Sequence, residues 1–203
     1  MLSISLDDDR ASEVAASHLA NLGHRDVAIV ALPLDSDDGL LEDGHDGSAR
    51  RGPLTPDREA SATVQVTLDR LRGVRAVFPG ATGVVTTGSY VDEGMIAGHA
   101  LLADQANRPT AIMAQSDLLA AGVIRAAEEL GLQVPRDLSV VGFDGIALDR
   151  IVPHDLTTLV QPAAEQGRAA GRAVLDLLEG GHPQSVLFSS TFHLGATTGP
   201  PRS

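Results

Sequence analysis

Four short stretches carry side chains able to hold a small molecule: Gly88-Ser89-Tyr90, Gln115-Ser116-Asp117, Phe143-Asp144 and Gln161. Between them they offer an aromatic face, hydroxyls, carboxylates and amides, to which an arginine reaching in from a helix would add a fork of donors. Such a set suits a neutral hydroxylated ligand, because each polar group can exchange hydrogen bonds with hydroxyls while an aromatic ring packs on C–H surface. None of these residues is a nucleophile with a base beside it, so the chemistry implied is binding and no catalytic residue is assigned.

What places them together is the pattern around them. Each stretch follows a short apolar run, and the runs over 27–32, 83–87, 110–114, 138–143 and 156–161 read as strands. Between them lie helical spacings. Ala11, Val14, Ala15, His18, Leu19 and Leu22 form one stripe over 9–22, with Gly23 as a left-handed cap. Further helices are expected over 60–77, through Met95, Ile96, Ala100 and Leu101, over 118–130 with Ser116 or Asp117 as cap, and over 163–178. An extended tail is expected near 186–194. Residues 33–56 are rich in Asp, Gly, Ser and Pro without periodicity and read as an exposed, flexible insertion. Strands alternating with helices predict an α/β fold with a parallel sheet and right-handed crossovers, in which ligands bind outside the carboxyl ends of the strands.

Composition narrows the function classes. The 203 residues hold 15 Lys and Arg against 27 Asp and Glu, a formal charge of −12, so a polyanion such as DNA is repelled by the average surface. With aromatics at 2% and one tyrosine, there are no stacking platforms for single strands. Cysteine is absent, which removes disulfides and thiolate metal sites. The amino terminus has neither a basic nor an apolar signal region, and no apolar run approaches the roughly 20 residues that span a bilayer. A cytoplasmic chain without membrane partner is expected.

Other chemistries find little support. Glu42-Asp43-Gly44-His45-Asp46 mixes metal-type ligands, but sequential carboxylates in a glycine-rich loop read as solvated acid, and no metal is expected. His18 and His24 flank a helix end, where packing and capping are the usual roles. No Gly-x-Gly-x-x-Gly turn follows a strand, so a dinucleotide has no cradle and no cofactor is expected.

Several blocks in one order resemble the effector-binding domain of the LacI/GalR family of bacterial transcription regulators. They are His18-Leu19-Ala20-Asn21-Leu22-Gly23-His24-Arg25, Leu71-Arg72-Gly73-Val74-Arg75, Arg108-Pro109-Thr110-Ala111-Ile112 and Ser116-Asp117-Leu118-Leu119-Ala120-Ala121-Gly122. They continue with Val134-Pro135-Arg136-Asp137-Leu138-Ser139-Val140-Val141-Gly142-Phe143-Asp144 and Leu156-Thr157-Thr158-Leu159-Val160-Gln161-Pro162.

The resemblance implies a periplasmic-binding-protein fold of two lobes, an effector such as a sugar or nucleobase between them, and no enzymatic activity. It puts Arg70 at the place of the effector-contacting arginine, Asp144 at its carboxylate partner, and Tyr90 where relatives place an aromatic. Ser116 stands where relatives often have Asn, and Gln161 completes the ligand-binding set. It further implies a remnant of the amino-terminal lobe over 1–24 and a carboxyl-terminal lobe over 25–158. The chain is then expected to return to the first lobe over 159–184, with a final strand and tail over 185–203. The helix-turn-helix and much of the first lobe are not in this sequence, so operator DNA is expected to be bound only elsewhere. An apolar face should be left uncovered on the first helix and the 161–178 unit. A homodimer is expected through Ala121, Val123, Ile124 and Arg125 on one helix and Leu148, Ile151 and Val152 on a loop. A solute-binding protein of the same fold is the alternative.

Overall fold

The computed structural model describes residues 2–35, 51–148, 151 and 153–202. The acidic stretch 42–46 and Val152 therefore lie outside the described residues.

The centre is a five-stranded sheet in the order β3-β4-β2-β5-β6, formed by Gly52–Pro53, Thr82–Val85, Val27–Ala31, Ala111–Ala114 and Ser139–Val141. Every pairing is parallel except that of the two-residue edge strand β3, which runs antiparallel to β4. Period-2 alternation explains why the central strands read as continuous apolar runs, since both faces are covered. Ile29, Ala111, Met113 and Val141 enter one core with Ala15 and Leu19 of α1 (Asp8–Leu22) and Leu71 and Val74 of α3 (Gln65–Val77). Ala28, Val30, Ile112 and Val140 enter the other with Ala97 of α4 (Val91–Leu102) and Val123 and Ile124 of α5 (Asp117–Glu129).

Helices α4 and α5 meet backbone to backbone. A Cβ added at Gly94 would come within 2.2 Å of the Leu119 carbonyl, and one at Gly122 within 2.1 Å of the Val91 carbonyl. Only glycine permits so close a crossing.

From the sheet the chain makes excursions to a second, smaller layer. Strand β1 (Ile4–Leu6) pairs in parallel with β8 (Val186–Phe188), and α6 (Ala163–Leu178) lies against β1. Strand β7 (Thr158–Val160) pairs with β9 (Thr191–His193) beside β6, where Val141 and Asp144 bridge to Thr157 and Val160. The last residues return along the outer edge of β6. Thr197 exchanges bonds with Val140, and Arg202 donates to the Asp137 and Arg108 carbonyls.

Four expectations need correction. First, α1 belongs to the sheet's own core rather than to a remnant of the first lobe over 1–24, because Ala11, Ala15, Ala16 and Leu19 are buried against α3. The crossing falls near Asp7. Second, the expected uncovered face is therefore confined to α6 and β8, where Val174, Leu175, Leu177, Leu178 and Leu187 are exposed and Ala173 is the sole buried residue of the helix.

Third, the described ends of the 33–56 segment are ordered parts of the sheet. Leu34 and Leu54 are buried, and a short helix α2 (Pro56–Ala60) follows. The helix expected over 60–77 is split there, because the Thr63 and Val64 N–H groups bond to the Leu34 carbonyl and restart α3 at Gln65. Fourth, Ala121, Val123, Ile124 and Leu148 cannot present a surface to a second copy. Ala121, Val123 and Ile124 have no exposed area and Leu148 is buried in the same core. Arg125 and Ile151 hold each other instead, the guanidinium donating to the Ile151 carbonyl at 2.9 Å. Among the described residues no helix is long and apolar enough to cross a membrane.

Candidate functional site

The sheet order places a topological switch point between β2 and β5: the chain leaving β2 goes to β4 on one side, and the chain leaving β4 passes over to β5 on the other. At the carboxyl end of this pair, Gln115 Oε1 accepts the Leu32 N–H at 3.0 Å and its Nε2 donates to the Thr67 carbonyl at 3.1 Å. The buried amide thus ties β2, β5 and α3 together, and its backbone carbonyl turns to Arg70.

Arg70 comes from α3 and is 4% exposed. Its Nε donates to Asp8 Oδ1 at 2.8 Å, its Nη1 to the Gln115 carbonyl, and its Nη2 stands 3.7 Å from Asp144 Oδ1. The guanidinium plane covers the Phe143 ring, with Cζ 3.6 Å from the centroid. A planar, delocalised cation is the one that can satisfy carboxylates at its edge and an aromatic at its face at once.

Asp144 follows β6 with φ at +123°, a region that non-glycine residues rarely occupy. The strain is held by neighbours. Its N–H donates to Leu159 O at 2.9 Å, its carbonyl accepts from Gln161 N at 3.0 Å, and its side chain accepts from Gln161 Nε2 at 2.7 Å. Behind it, fully buried Asp117 accepts the N–H groups of Gly145 and Ile146 at 2.7 and 2.8 Å and the Thr158 hydroxyl at 2.5 Å. Gly142 is required for this packing, since a Cβ there would lie 2.3 Å from Asp117 Oδ1. Strained backbone fixed from several sides is a frequent property of ligand sites.

Burial pushes the Asp144 carboxyl up to about 6, the nearby Asp117 and Asp8 charges adding to it while Arg70 and Gln161 oppose it. Burial likewise raises Asp117, against the bonds from Thr158, Ile146 and Gly145.

The β4 side carries the hydroxyls and the aromatic. Ser89 donates to Ser116 Oγ at 2.7 Å, and Ser116, 1% exposed, caps α5 by accepting the Leu119 N–H. Tyr90 is 65% exposed, with its ring folded over Gly88. Glu93 accepts the Thr87 N–H at 2.9 Å and the Arg51 guanidinium, pinning the loop from below. Burial raises the Glu93 carboxyl, but those donors outweigh it and hold it below its ordinary value.

Of the residues singled out in the sequence, Arg70, Asp144 and Gln161 form one bonded set. Ser116 adjoins it through Gln115, and Tyr90 stands farther along the same edge. Exposure divides them: Asp144, Gln161, Ser89 and Tyr90 are open to solvent in part, whereas Arg70 and Ser116 stand behind. Asp8, Gln115 and Asp117 build the support: the last two belong to a stretch read as a candidate ligand contact and turn out to hold backbone instead, while Asp8 is not among the residues singled out. Asp8 gives no local signal, since its role depends on Arg70, 62 residues away. Depressions of about 330 and 400 Å3 also open at the opposite edge around Arg25, Gly80 and Arg108. That edge holds the carbonyl ends of the helices, and it shares no residue with the set described. Among the described residues no group of three His, Cys, Asp or Glu side chains could hold a metal.

A doubly wound sheet with a polar set at its switch point, and strands leaving for a second layer on either side of that set, is the architecture of a periplasmic-binding-protein-like domain. The chain belongs to the periplasmic-binding-protein-like family, whose domain matches residues 16–198, in the form found in LacI-type transcription regulators.

It is 32% identical over 163 residues to the transcriptional repressor PurR of Proteus mirabilis, covering 80% of this chain and 41% of that protein. It is 31% identical over 201 residues to the transcriptional regulator MalR of Streptomyces coelicolor, covering 98% and 52%. A LacI-family regulator from Corynebacterium glutamicum of known crystal structure superposes with a TM-score of 0.83 at 28% identity, covering 98% of this chain and 57% of that one. The chain spans about half the length of the curated relatives it matches.

Proposed function

We propose that this chain is the effector-sensing part of a transcription regulator, with no catalytic role, and that its ligand is a small sugar-like or nucleobase-like molecule. The observation that carries the reading is the Arg70–Asp144–Gln161 set at the switch point, with Asp144 held in a left-handed backbone conformation by Asp117. Asp144, Gln161, Ser89 and Tyr90 contact the ligand, while Arg70 and Ser116 fix the groups that do. The names of the relatives favour a regulator over the solute-binding alternative of the same fold.

The set is also placed to report occupancy. Asp8 opens α1 two residues after β1, and Gln161 directly follows β7 two residues before α6, so both ends of the bonded set sit at the crossings into the smaller layer. A ligand that binds one arrangement of the layers better shifts the population towards it, which is how effector binding would reach an attached DNA-binding domain. Operator binding is assigned to sequence outside these 203 residues, and self-association to a surface that includes Arg125 and Ile151. A thermal-shift panel of neutral sugars and nucleobases tests the reading: one member should raise the melting temperature saturably, and Asp144→Ala should abolish the rise. A panel without any response would overturn it.

A further inference from the structure

The charge of the site decides which ligands can enter. Two carboxylates, Asp8 and Asp144, flank one guanidinium, a third, Asp117, is buried behind Asp144, and that guanidinium is already committed. Arg70 gives Nε to Asp8 and Nη1 to the Gln115 carbonyl, faces Asp144 with Nη2, and lays its plane on Phe143. A ligand phosphate or carboxylate would have to compete with partners that are buried and would be left unpaired.

Most of the usual anion receptors at such an edge already carry a carboxylate. Helix amino termini attract negative charge through their free N–H groups. Here α1 carries Asp8 and Asp9 in its first turn, α4 carries Asp92 and Glu93, and α5 carries Asp117. Of the described helices only α3 starts without a carboxylate in its first turn. The chain contains no lysine. Arg51, the cation at the β4 end of the edge, is held by Glu93.

Resting on the sensing role proposed above, we propose that this site selects by charge: it takes an uncharged hydroxyl-bearing ligand and excludes the phosphate- or carboxylate-bearing form of the same molecule. Asp144 accepts from ligand hydroxyls at an exposed corner of the set, and its charge repels an anion placed there. Burial first raises the Asp144 carboxyl, and the Asp117 and Asp8 charges add to that rise against Arg70.

Two measurements on the 203-residue chain test this separately. The first needs no ligand. Side-chain carboxyl NMR should find Asp144 titrating well above the ordinary carboxylate range, and titration in the ordinary range or below would overturn the charge argument while leaving the sensing role standing. The second is a thermal-shift comparison of matched pairs: ribose with ribose 5-phosphate, and glucose with glucose 6-phosphate and glucuronate. The neutral member should bind at least tenfold more tightly than its anion, and Asp144→Asn should narrow the gap. An anion that binds as well as its neutral counterpart would overturn the selectivity. Failure of every neutral sugar and nucleobase tried, with Asp144 titrating high, would instead overturn the sensing role and the selectivity with it.

Discussion

Arg70 Nη2 stands 3.7 Å from Asp144 Oδ1 while its Nε lies 2.8 Å from Asp8 Oδ1, so one buried guanidinium is shared by the start of α1 and the carboxyl end of β6. Removing it strands charges from which water is largely excluded. Arg70→Ala should destabilise the chain by about 3–5 kcal/mol in urea unfolding, the range for breaking a buried ion pair from one side. Arg70→Lys should recover only part of that, because an ammonium cannot reach Asp8, Gln115 and Asp144 together or lie flat on Phe143.

Asp144 sets a pH dependence whose sign is opposite to that of an ordinary paired carboxylate. Its folded value, about 6, lies above the unfolded value of about 3.9. Its contribution to stability is then fully present below pH 4 and lost as the pH rises to 6. Asp144→Asn keeps a side-chain acceptor for Gln161 and removes the titration. The variant should gain stability over the parent chain, by about 1–3 kcal/mol at pH 7, with the difference vanishing near pH 4. Taking the difference between the two proteins cancels His18 and His24, whose lowered values act with the other sign below pH 6.5.

Glycine substitutions in two helices should have opposite effects. A Cβ at Gly122 meets the Val91 carbonyl at 2.1 Å and the Met95 nitrogen at 2.5 Å, both backbone, so Gly122→Ala must push α4 away from α5. A loss of at least about 3 kcal/mol, or no folded protein, is expected. On α6, Gly167 meets nothing within 4 Å and is exposed, so Gly167→Ala should raise stability by about 0.5–1 kcal/mol through helix propensity alone. Thermal melts of the two variants beside the parent chain check both signs.

The parts legible in the sequence are those fixed by local pattern. The stripe over α6 gave its bounds at 163 and 178, and the strand ends gave Asp144, Ser116 and Gln161, because apolar runs and turn residues are local signals. What escaped depends on distant partners. Strand β1 is three residues long and is defined only by pairing with β8, and the break before α3 exists only because Leu34 O captures two N–H groups. Asp117 reads as a helix cap, yet its carboxylate turns away to hold Gly145, Ile146 and Thr158. The dimer assignment failed for Ala121 and Val123 for a related reason. Small and β-branched apolar residues on a helix look alike whether they face a neighbouring helix of the same chain or a second copy, and the glycines of α4 decide for the former.

His24 carries the return of the chain's end. It is buried, with Nδ1 2.8 Å from Thr110 Oγ1 and Nε2 2.9 Å from the Gly199 carbonyl and 3.1 Å from Ser139 Oγ. Since a carbonyl can only accept, Nε2 carries the hydrogen, and burial, partly offset by that bond, holds the ring's titration below its ordinary value. The imidazole therefore joins the turn after α1, the approach to β5, the start of β6 and the tail. His24→Ala would leave these groups without their shared partner. The expected cost is about 2–4 kcal/mol, from the cavity and the lost bonds together. Local detachment should precede global unfolding: hydrogen exchange at Gly199 and Val140, whose N–H groups bond Ser139 Oγ and Thr197 O, should accelerate far more than at Ile29 in the sheet's centre. Equal acceleration at all three would mean that the tail is not separately held by His24, and that the histidine serves the core as a whole.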